Sequence, residues 1–380
     1  MILRLLVCLF LLNAGANIAL AADGTVVPPP PTISAKSYLL ADHNSGRVLA
    51  SLDPDQRIEP ASITKLMTAY VVFRSIRDKR VSLDDPVLIS EAAWRTEGSR
   101  SFVKLGDRVP LSVLLQGTII QSGNDASVAL AEHVSGSESA FADLMNVYAK
   151  ELGMTHTNFR NATGLPDPDH YTTATDILKM ANALISDFPE YYGWYSQKEF
   201  TWNGITQGNR NGLLSRDSTV DGMKTGHTDA AGYCLVSSAK RDGMRLISIV
   251  LGTDSTRARE QDSQALLNYG FRFYETKLLL PAGKPLAETR VWKGEQEITD
   301  IGVNRDVWVT VPRGSADKLE PVYTLPAKVI APLDPAVELG KVRVSLDGKT
   351  IAEAGVYPLH AVPTGSLWQQ ARDSALLWFE

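Results

Sequence analysis

Hydrophobic and polar positions divide the first part of the chain into a hairpin and a buried helix. Between residues 37 and 50, two short runs of strand-forming residues flank Asn44-Ser45-Gly46, a sequence typical of a tight turn. From Ile63 to Phe73 apolar residues occur on nearly every side, and Pro60 stands just before this run. A helix that is apolar on all sides belongs in a core, so this pattern predicts a central, buried helix.

The middle of the chain has the periodicity of helices. An apolar run from Val113 to Ile120 predicts one helix, and Gly123 separates it from another that begins at Ala126. We expect Asn124 or Asp125 to cap the second helix with its side chain.

Strand patterns return after this helical region. A predicted helix from 175 to 185 is followed by apolar runs at 220–225, 233–239 and 246–251, the last two joined by the turn Arg241-Asp242-Gly243. Strands at both ends of the segment with helices between them indicate an α+β domain whose sheet joins both ends.

Beyond the sequence at 278–283 the composition changes to that of short β-strands. The predicted strands include Val291-Trp292, Val307-Trp308-Val309 and Val342-Arg343-Val344, and Asp347-Gly348 indicates a turn. These elements predict a second, all-β domain.

The last segment, Leu367 to Glu380, has the pattern of an amphipathic helix. Its apolar face is formed by Trp368, Ala371, Ala375, Trp378 and Phe379. Indole rings favour the headgroup region of a membrane, so the pattern predicts a helix that lies on a membrane surface. The alternative is that the apolar stripe docks onto the β-domain.

The first residues have the features of a secretory signal. Arg4 precedes an apolar run from Leu5 to Leu12, and Ala19-Leu20-Ala21 offers the small residues that signal peptidase requires. The run is well short of the roughly 20 residues that a membrane-spanning helix needs. Residues 1–21 are therefore predicted to be a signal peptide, followed by an exposed proline-rich linker at 22–31. We expect the mature chain to work outside the cytoplasm.

Composition and charge narrow the possible functions. The chain has 380 residues, of which 44% are hydrophobic and 21% charged, as in ordinary globular proteins. With 38 Lys and Arg against 43 Asp and Glu, the net charge is −5, which disfavours nucleic-acid binding. Cys8 and Cys234 are too few for a disulfide scaffold or a thiolate metal site. The sequence also lacks the usual zinc-protease, phosphate-loop, dinucleotide-binding and α/β-hydrolase motifs.

The strongest candidate for chemistry is Ser62-Ile63-Thr64-Lys65, where a hydroxyl and an amine lie three residues apart on one helix face. The same spacing also occurs at Ser101/Lys104, Ser237/Lys240 and Ser315/Lys318. Only Lys65 lies in an apolar helix, where burial lowers the pKa of an ammonium group. Near a helix start the Ser62 N–H also lacks an intrahelical acceptor, so one residue could supply both a nucleophile and an oxyanion donor.

Two further motifs follow in order along the chain. Ser122-Gly123-Asn124 alone is typical of a turn and cap, and Lys224-Thr225-Gly226 alone is a modest signal. Together with the first motif they resemble the signature of penicillin-binding proteins and serine β-lactamases. The longer segments that resemble the low-molecular-mass D-alanyl-D-alanine carboxypeptidases are Pro60 to Lys65, Gln121 to Ala126, Asn209 to Leu214 and Asp221 to Thr228.

The resemblance covers nearly the whole mature chain and implies a domain organisation. It implies an α+β transpeptidase domain of the penicillin-binding and β-lactamase type at 32–277, in which helices flank an antiparallel sheet. A small all-β domain is expected at 283–364, and an amphipathic membrane-anchor helix at 365–380.

The resemblance also implies the chemical roles of three residues. Ser62 corresponds to the nucleophile that attacks the peptide bond between the two terminal D-alanines and becomes an acyl-ester. Lys65 corresponds to its general base, in agreement with the burial argument. Ser122 would relay a proton towards the leaving D-alanine.

The remaining matched residues would bind the substrate. Asn124 would orient the peptide and the lysine, and Lys224-Thr225-Gly226 would receive the terminal carboxylate by charge-assisted hydrogen bonds. The backbone N–H groups of Ser62 and His227 would form the oxyanion hole. Arg210 would add positive potential, although a solvated turn arginine is the alternative.

Three hypotheses of different kinds follow. The first is a carboxypeptidase acting on peptidoglycan pentapeptides, with β-lactams as inhibitors, at the periplasmic surface of the inner membrane, and with no metal or cofactor. The second is a serine β-lactamase, which usually needs another base; a glutamate serves in one class, but residues 163–175 contain only aspartates. The third is a non-catalytic envelope module, which the intact Ser62, Lys65 and Lys224 disfavour.

Overall fold

The structure is a computed structural model and describes residues 27–379 of the chain. The predicted signal peptide and the first residues of the predicted linker lie outside the described residues. Residues 27–31 have no regular secondary structure. The carbonyl of Pro28 accepts a hydrogen bond from the Tyr269 hydroxyl at 2.8 Å, so this lead-in contacts the first domain.

The first domain is built on one five-stranded antiparallel sheet with the order β2-β1-β9-β8-β7. Strands from both ends of the segment meet in it, which confirms the α+β prediction and the predicted hairpins. Two small two-stranded sheets, β3–β4 and β5–β6, accompany it. The strands are β1 (Ser37–Asp42), β2 (Val48–Leu52), β3 (Pro86–Leu88), β4 (Arg108–Pro110), β5 (Glu199–Trp202), β6 (Ile205–Gly208), β7 (Val220–Thr228), β8 (Gly232–Arg241) and β9 (Met244–Thr253).

Helices cover this sheet, and α1 lies at the centre of the larger hydrophobic core. Every α1 residue from Thr64 to Phe73 is buried, as the apolar pattern predicted. The helices are α1 (Thr64–Arg77), α2 (Glu91–Arg95), α3 (Leu111–Gln116), α4 (Asn124–Ser135), α5 (Glu138–Glu151), α6 (Ala174–Asp187), α7 (Pro189–Tyr192), α8 (Leu213–Arg216) and α9 (Thr256–Phe273).

The start of α4 differs from the sequence prediction. The residue at the N-cap position is Gly123, with no side-chain cap, and Asn124 and Asp125 already belong to the first helical turn. The predicted side-chain cap is wrong because both side chains have other partners. Asn124 Oδ1 accepts from Lys65, and the Asp125 carboxylate accepts from the backbone of Ser101.

The second domain is all-β, as predicted. Its five-stranded sheet has the order β11-β12-β16-β15-β14, and a separate pair joins β10 to β13. Its strands are β10 (Tyr274–Leu280), β11 (Pro285–Arg290), β12 (Ile298–Gly302), β13 (Val307–Pro312), β14 (Leu319–Thr324), β15 (Gly340–Leu346) and β16 (Lys349–Pro358), followed by the helix α10 (Leu367–Phe379).

One strand predicted in this domain is absent. Val291 and Trp292 follow the end of β11 and form no strand, although Trp292 makes a single bridge to Ile330. Val291 instead packs into a small separate core with neighbours such as Val329 and Val362. These two apolar residues are therefore buried beneath loops and do not pair in a β-sheet.

Strand β10 connects the two domains. The boundary expected at residue 277 falls inside it, and β10 pairs with β13 of the second domain. The β1–β2 hairpin also contacts this pair, because Thr276 Oγ1 donates to Asp42 at 2.8 Å and the hydroxyls of Ser45 and Thr310 lie 2.6 Å apart.

Helix α10 docks on the second domain through its polar side. Asp373 is buried and accepts from the Lys293 backbone N–H at 2.6 Å, while Arg372 pairs with Glu297 at 2.7 Å. The residues of the apolar stripe, Trp368, Ala371, Ala375, Trp378 and Phe379, are all exposed to solvent. The alternative in which the stripe docks onto the β-domain is therefore wrong. Within residues 27–379, no helix combines the length and apolarity needed to cross a membrane.

Candidate active site

The site is built around Ser62, which lies in a 3₁₀ turn (Ala61–Ile63) that leads into α1. Two glycines let other segments approach this turn. A Cβ atom at Gly164 would lie 1.8 Å from the Ala61 carbonyl oxygen, and Gly164 has a φ of +84°. A Cβ atom at Gly226 would lie 3.1 Å from the carbonyl oxygen of Pro60. Only glycine at 164 combines this backbone conformation with so close an approach.

Lys65 is one helical turn from Ser62 and is 1% exposed. Its Nζ lies 3.0 Å from Ser62 Oγ, 2.7 Å from Asn124 Oδ1 and 2.5 Å from the Thr163 carbonyl oxygen. The pKa of Lys65 is lowered to about 7, mainly by burial and also by the nearby Arg210 cation, while the carboxylates of Asp125 and Glu138 partly oppose this shift. An amine with this pKa is substantially neutral near neutral pH and can accept a proton.

The second predicted motif lies between α3 and α4. A short π-helical turn (Gly117–Gln121) ends at Ser122, which has a left-handed backbone with φ of 68°. The Ser122 hydroxyl is buried and has no hydrogen-bond partner among the described residues. Asn124 Nδ2 donates to the Glu97 carbonyl at 2.6 Å, which orients its Oδ1 towards Lys65.

The third motif lies on β7 at the edge of the main sheet. Lys224 and Thr225 are buried, and Lys224 Nζ donates to the Thr225 carbonyl at 3.1 Å. Burial lowers the pKa of Lys224 well below its ordinary value, and the neighbouring cations Lys65, Arg210 and Arg259 lower it further. A cluster of cations, most of them buried, makes a site that favours an anion.

Arg210 and His227 are exposed and lie at the rim of this region. Arg210 Nε donates to the carbonyl of Gln121, the residue before Ser122, at 3.0 Å. The His227 ring packs on Tyr233 with 4.0 Å between ring centroids. The His227 side chain therefore has an aromatic neighbour of its own, and the role expected for this residue concerns only its backbone N–H.

Other Ser-x-x-Lys matches have a different environment. Ser101 and Ser237 are buried, whereas Lys104 and Lys240 are exposed to solvent. In neither pair does the lysine share the burial that lowers the pKa of Lys65.

Sequence reasoning missed four contributors to the site. They are the Thr163 carbonyl, the Glu138 carboxylate, the charge of Asp125 and the guanidinium of Arg259. Asp125 lay in a motif already quoted, but only a helix cap was expected of it. Arg259 on α9 is 6% exposed and donates to the Gly226 carbonyl at 3.2 Å, so it supports β7 from behind. No local sequence pattern marks Glu138 or Arg259.

A buried lysine beside a serine, a Ser-x-Asn turn and a Lys-Thr strand on an antiparallel sheet define the serine acyltransferase class to which penicillin-binding proteins belong. Two family models match the chain: D-alanyl-D-alanine carboxypeptidase over residues 24–255, and the C-terminal domain of penicillin-binding protein 5 over residues 274–364. The chain belongs to the D-alanyl-D-alanine carboxypeptidase family, peptidase family S11.

Individual relatives agree with this assignment. The D-alanyl-D-alanine carboxypeptidase DacA of Escherichia coli is 43% identical over 93% of this chain and 90% of its own length. The crystal structure of penicillin-binding protein 5 from Haemophilus influenzae is 43% identical, with a TM-score of 0.85 over 88% of this chain and 99% of that one. Penicillin-binding protein D2 of Listeria monocytogenes, solved in an ampicillin-bound form, is 30% identical, with a TM-score of 0.60 over 64% of this chain and 100% of that one.

The enzyme class follows from the family. The chain is a hydrolase of the D-alanyl-D-alanine carboxypeptidase type, and this interpretation is supported over a β-lactamase or a non-catalytic envelope module.

Proposed function

We propose that the enzyme removes the terminal D-alanine from peptidoglycan pentapeptides through an acyl-enzyme on Ser62. The observation that carries this proposal is the 3.0 Å distance between Ser62 Oγ and the buried Lys65 Nζ, whose pKa of about 7 suits a general base. The geometry is that of a nucleophile within hydrogen-bond reach of its base.

The hydrogen bonds of Lys65 support its role in acylation. A neutral amine has two N–H donors and one lone pair. Asn124 Oδ1 and the Thr163 carbonyl accept the two donors, which leaves the lone pair for the Ser62 hydroxyl. As Ser62 Oγ forms its bond to the substrate carbonyl carbon, its proton passes to Lys65 Nζ. The carbonyl oxygen becomes an oxyanion, which the N–H groups of Ser62 and His227 stabilise.

The second half of acylation needs a proton on the departing nitrogen. The buried Ser122 hydroxyl has no partner among residues 27–379 and so is free to bridge Lys65 and the leaving group. The proton then passes through Ser122 to the nitrogen of D-alanine as the peptide bond breaks. Water hydrolyses the ester at Ser62 and restores the free enzyme.

The charge of the site supports recognition of a free C-terminus. Lys224, with Thr225 beside it, receives the terminal carboxylate, and Arg210 and Arg259 add positive potential. Binding an anion here also offsets the cost of burying the ammonium of Lys224. β-Lactams carry a carboxylate next to a reactive amide, so we expect them to bind in the same way and to acylate Ser62. The ampicillin-bound structure of a relative supports this expectation.

The location proposed for the enzyme is the outer face of the inner membrane, in the periplasm. The signal-like residues 1–21 support export, and the exposed Trp368, Trp378 and Phe379 of α10 support attachment to the lipid surface. These three side chains are 79%, 88% and 89% exposed. The polar side of the helix already has partners on the second domain, which leaves the apolar face for the bilayer.

A labelling experiment tests the proposal. The protein is incubated with a labelled penicillin and, separately, with a peptide ending in D-Ala-D-Ala, and mass spectrometry identifies the adduct and the products. We expect an adduct on Ser62 and release of D-alanine, both lost in Ser62→Ala, and both kept in Ser237→Ala as the matched control. An adduct on Ser101, Ser122 or Ser237 would contradict the assignment.

A further inference from the structure

A carboxylate outside the three motifs contacts the loop that holds Lys65. Glu138 is the first residue of α5, and its Oε1 accepts a hydrogen bond from the backbone N–H of Ala162 at 2.9 Å. The next residue along the loop, Thr163, provides the carbonyl that accepts from Lys65 Nζ at 2.5 Å. One dipeptide therefore links the carboxylate to the lysine.

The loop has two further restraints at this point. The Ala162 carbonyl accepts from Thr68 Oγ1 of α1 at 2.7 Å, and Asn161 Oδ1 accepts from the backbone N–H groups of Thr163 and Gly164. Thr68 fixes the carbonyl side of Ala162 and Asn161 fixes the segment from within. Asn146 of α5 also holds the loop, three residues earlier at Phe159, but of the two α5 side chains only Glu138 carries a charge and contacts the residue next to Thr163.

We propose that Glu138 is a positioning residue for acylation: it holds the Ala162–Thr163 segment against Lys65 and, as an anion, sets the pH range in which Lys65 acts as base. This inference rests on the proposed role of Lys65. It also assigns a function to Glu138 of α5, which contacts the loop at Ala162, whereas residues 163–175 of that loop include no glutamate.

Electrostatics agree with the geometry. The charged groups that act on Lys65 are the anions of Asp125 and Glu138 and the cations of Arg210 and Lys224. Burial and the nearby Glu132 carboxylate raise the pKa of Glu138, while the hydrogen bond from Ala162 and the Lys65 charge lower it, so Glu138 and Lys65 interact. His170 also lies near Lys65, but burial lowers its pKa to about 4, so it is neutral over the range in which Lys65 titrates.

The test separates the charge of Glu138 from its hydrogen bond. Glu138→Gln keeps an oxygen acceptor for the Ala162 N–H and removes the charge. Without that anion the ammonium of Lys65 is stabilised less, so its pKa falls and the neutral base persists at lower pH. In the pH profile of acylation by labelled penicillin, the acid limb should move to lower pH by about half a unit. The rate at pH 6, expressed as a fraction of the plateau rate, should therefore rise roughly two- to three-fold.

Two other variants complete the design. Glu138→Ala removes the hydrogen bond as well, so the plateau rate itself should fall, by roughly ten-fold. Asp143→Asn removes an exposed acid from the same helix, α5, and changes the net charge equally. It should leave both the acid limb and the plateau unchanged.

The outcomes distinguish this inference from the proposed function. If the wild-type protein is not acylated on Ser62, the proposed function fails. If the wild type is acylated but Glu138→Gln has the wild-type pH profile, or shifts it no more than Asp143→Asn does, the role of Glu138 is overturned. Thermal unfolding of each variant shows whether a lost rate reflects a lost fold, and Glu138→Gln, which keeps the acceptor, decides the question if Glu138→Ala does not fold.

Discussion

The Thr163 carbonyl oxygen lies 2.5 Å from Lys65 Nζ, although the two residues are 98 positions apart in the chain. With Asn124 Oδ1 at 2.7 Å and Ser62 Oγ at 3.0 Å, the three donors of a charged Lys65 all have acceptors. Only the contact with Ser62 must reverse its direction for the lysine to act as a base. The site is thus arranged so that loss of one proton converts it from a resting to a reactive state.

The pH dependence of the wild-type enzyme should follow from this arrangement. Because Lys65 must be neutral and its pKa is about 7, kcat/KM for a D-Ala-D-Ala peptide should rise with pH and approach a plateau above neutrality. Lys224 must be charged to bind the carboxylate, and its pKa is lowered. As the pH rises further, kcat/KM should therefore decline, and this decline should begin at a lower pH than that at which an ordinary lysine loses its proton. A rate that is flat from pH 5 to 9 would contradict the assignment of Lys65 as the base.

Replacing the base tests the role of Lys65 directly. Lys65→Arg keeps a cation in the buried site but cannot lose its proton near neutral pH, so acylation should fall at least about 10²-fold. Lys104→Arg, at an exposed position of another Ser-x-x-Lys match, provides the control and should keep the wild-type rate. Acylation of Lys65→Arg at a normal rate at pH 7 would show that another group is the base.

Part of this site could be predicted from the sequence because its residues share one helix. Ser62 and Lys65 lie one turn apart in an apolar run, so their proximity and the burial of the lysine follow from helical geometry alone. The contributions of Thr163 and Glu138 could not be predicted in this way. They reach Lys65 through a backbone carbonyl and a loop contact, neither of which leaves a periodic pattern.

The fold shows the same division between local and long-range information. Hairpins and the buried helix α1 were predictable because their signals lie within a few residues. Val291 and Trp292 were assigned to a strand from their apolar character, but their partners, such as Val329, come from a distant loop. The predicted cap at Asn124 was wrong for a related reason, because its side chain bonds to Lys65, 59 residues away.

Removal of the charge at Lys224 should change substrate preference. Lys224→Gln loses the charge-assisted hydrogen bond to the terminal carboxylate, so kcat/KM for a peptide with a free C-terminus should fall roughly 10- to 100-fold. The same peptide with a C-terminal amide has no carboxylate to lose, so the two proteins should differ much less with it. Equal losses on both substrates would show that Lys224 does not recognise the carboxylate.

The fate of the penicillin adduct depends on deacylation. Residues 163–175 supply no glutamate that could serve as a base for deacylation. The nearby Glu138 already has a partner, because it accepts a hydrogen bond from the N–H of Ala162, just before this segment. We therefore expect the penicilloyl enzyme to persist far longer than the peptidyl acyl-enzyme, which makes the protein a target of β-lactams. Time-resolved mass spectrometry after removal of free penicillin measures both lifetimes. Rapid hydrolysis of penicillin over many turnovers would contradict this prediction.

Attachment to the membrane should depend on the exposed face of α10. Trp368, Trp378 and Phe379 are almost fully exposed, and burying one apolar side chain such as Phe379 contributes on the order of 1.5–3 kcal/mol. Arg372 pairs with Glu297 and Asp373, so attraction to anionic lipid should be slight and apolar burial should dominate. Deleting residues 367–380 should move the protein to the soluble periplasmic fraction with unchanged activity on soluble peptide. A variant with Trp368→Gln and Trp378→Gln keeps the docked polar face and should also lose attachment. If either variant stays with the membranes, or if the full-length protein is already soluble, α10 is not the anchor.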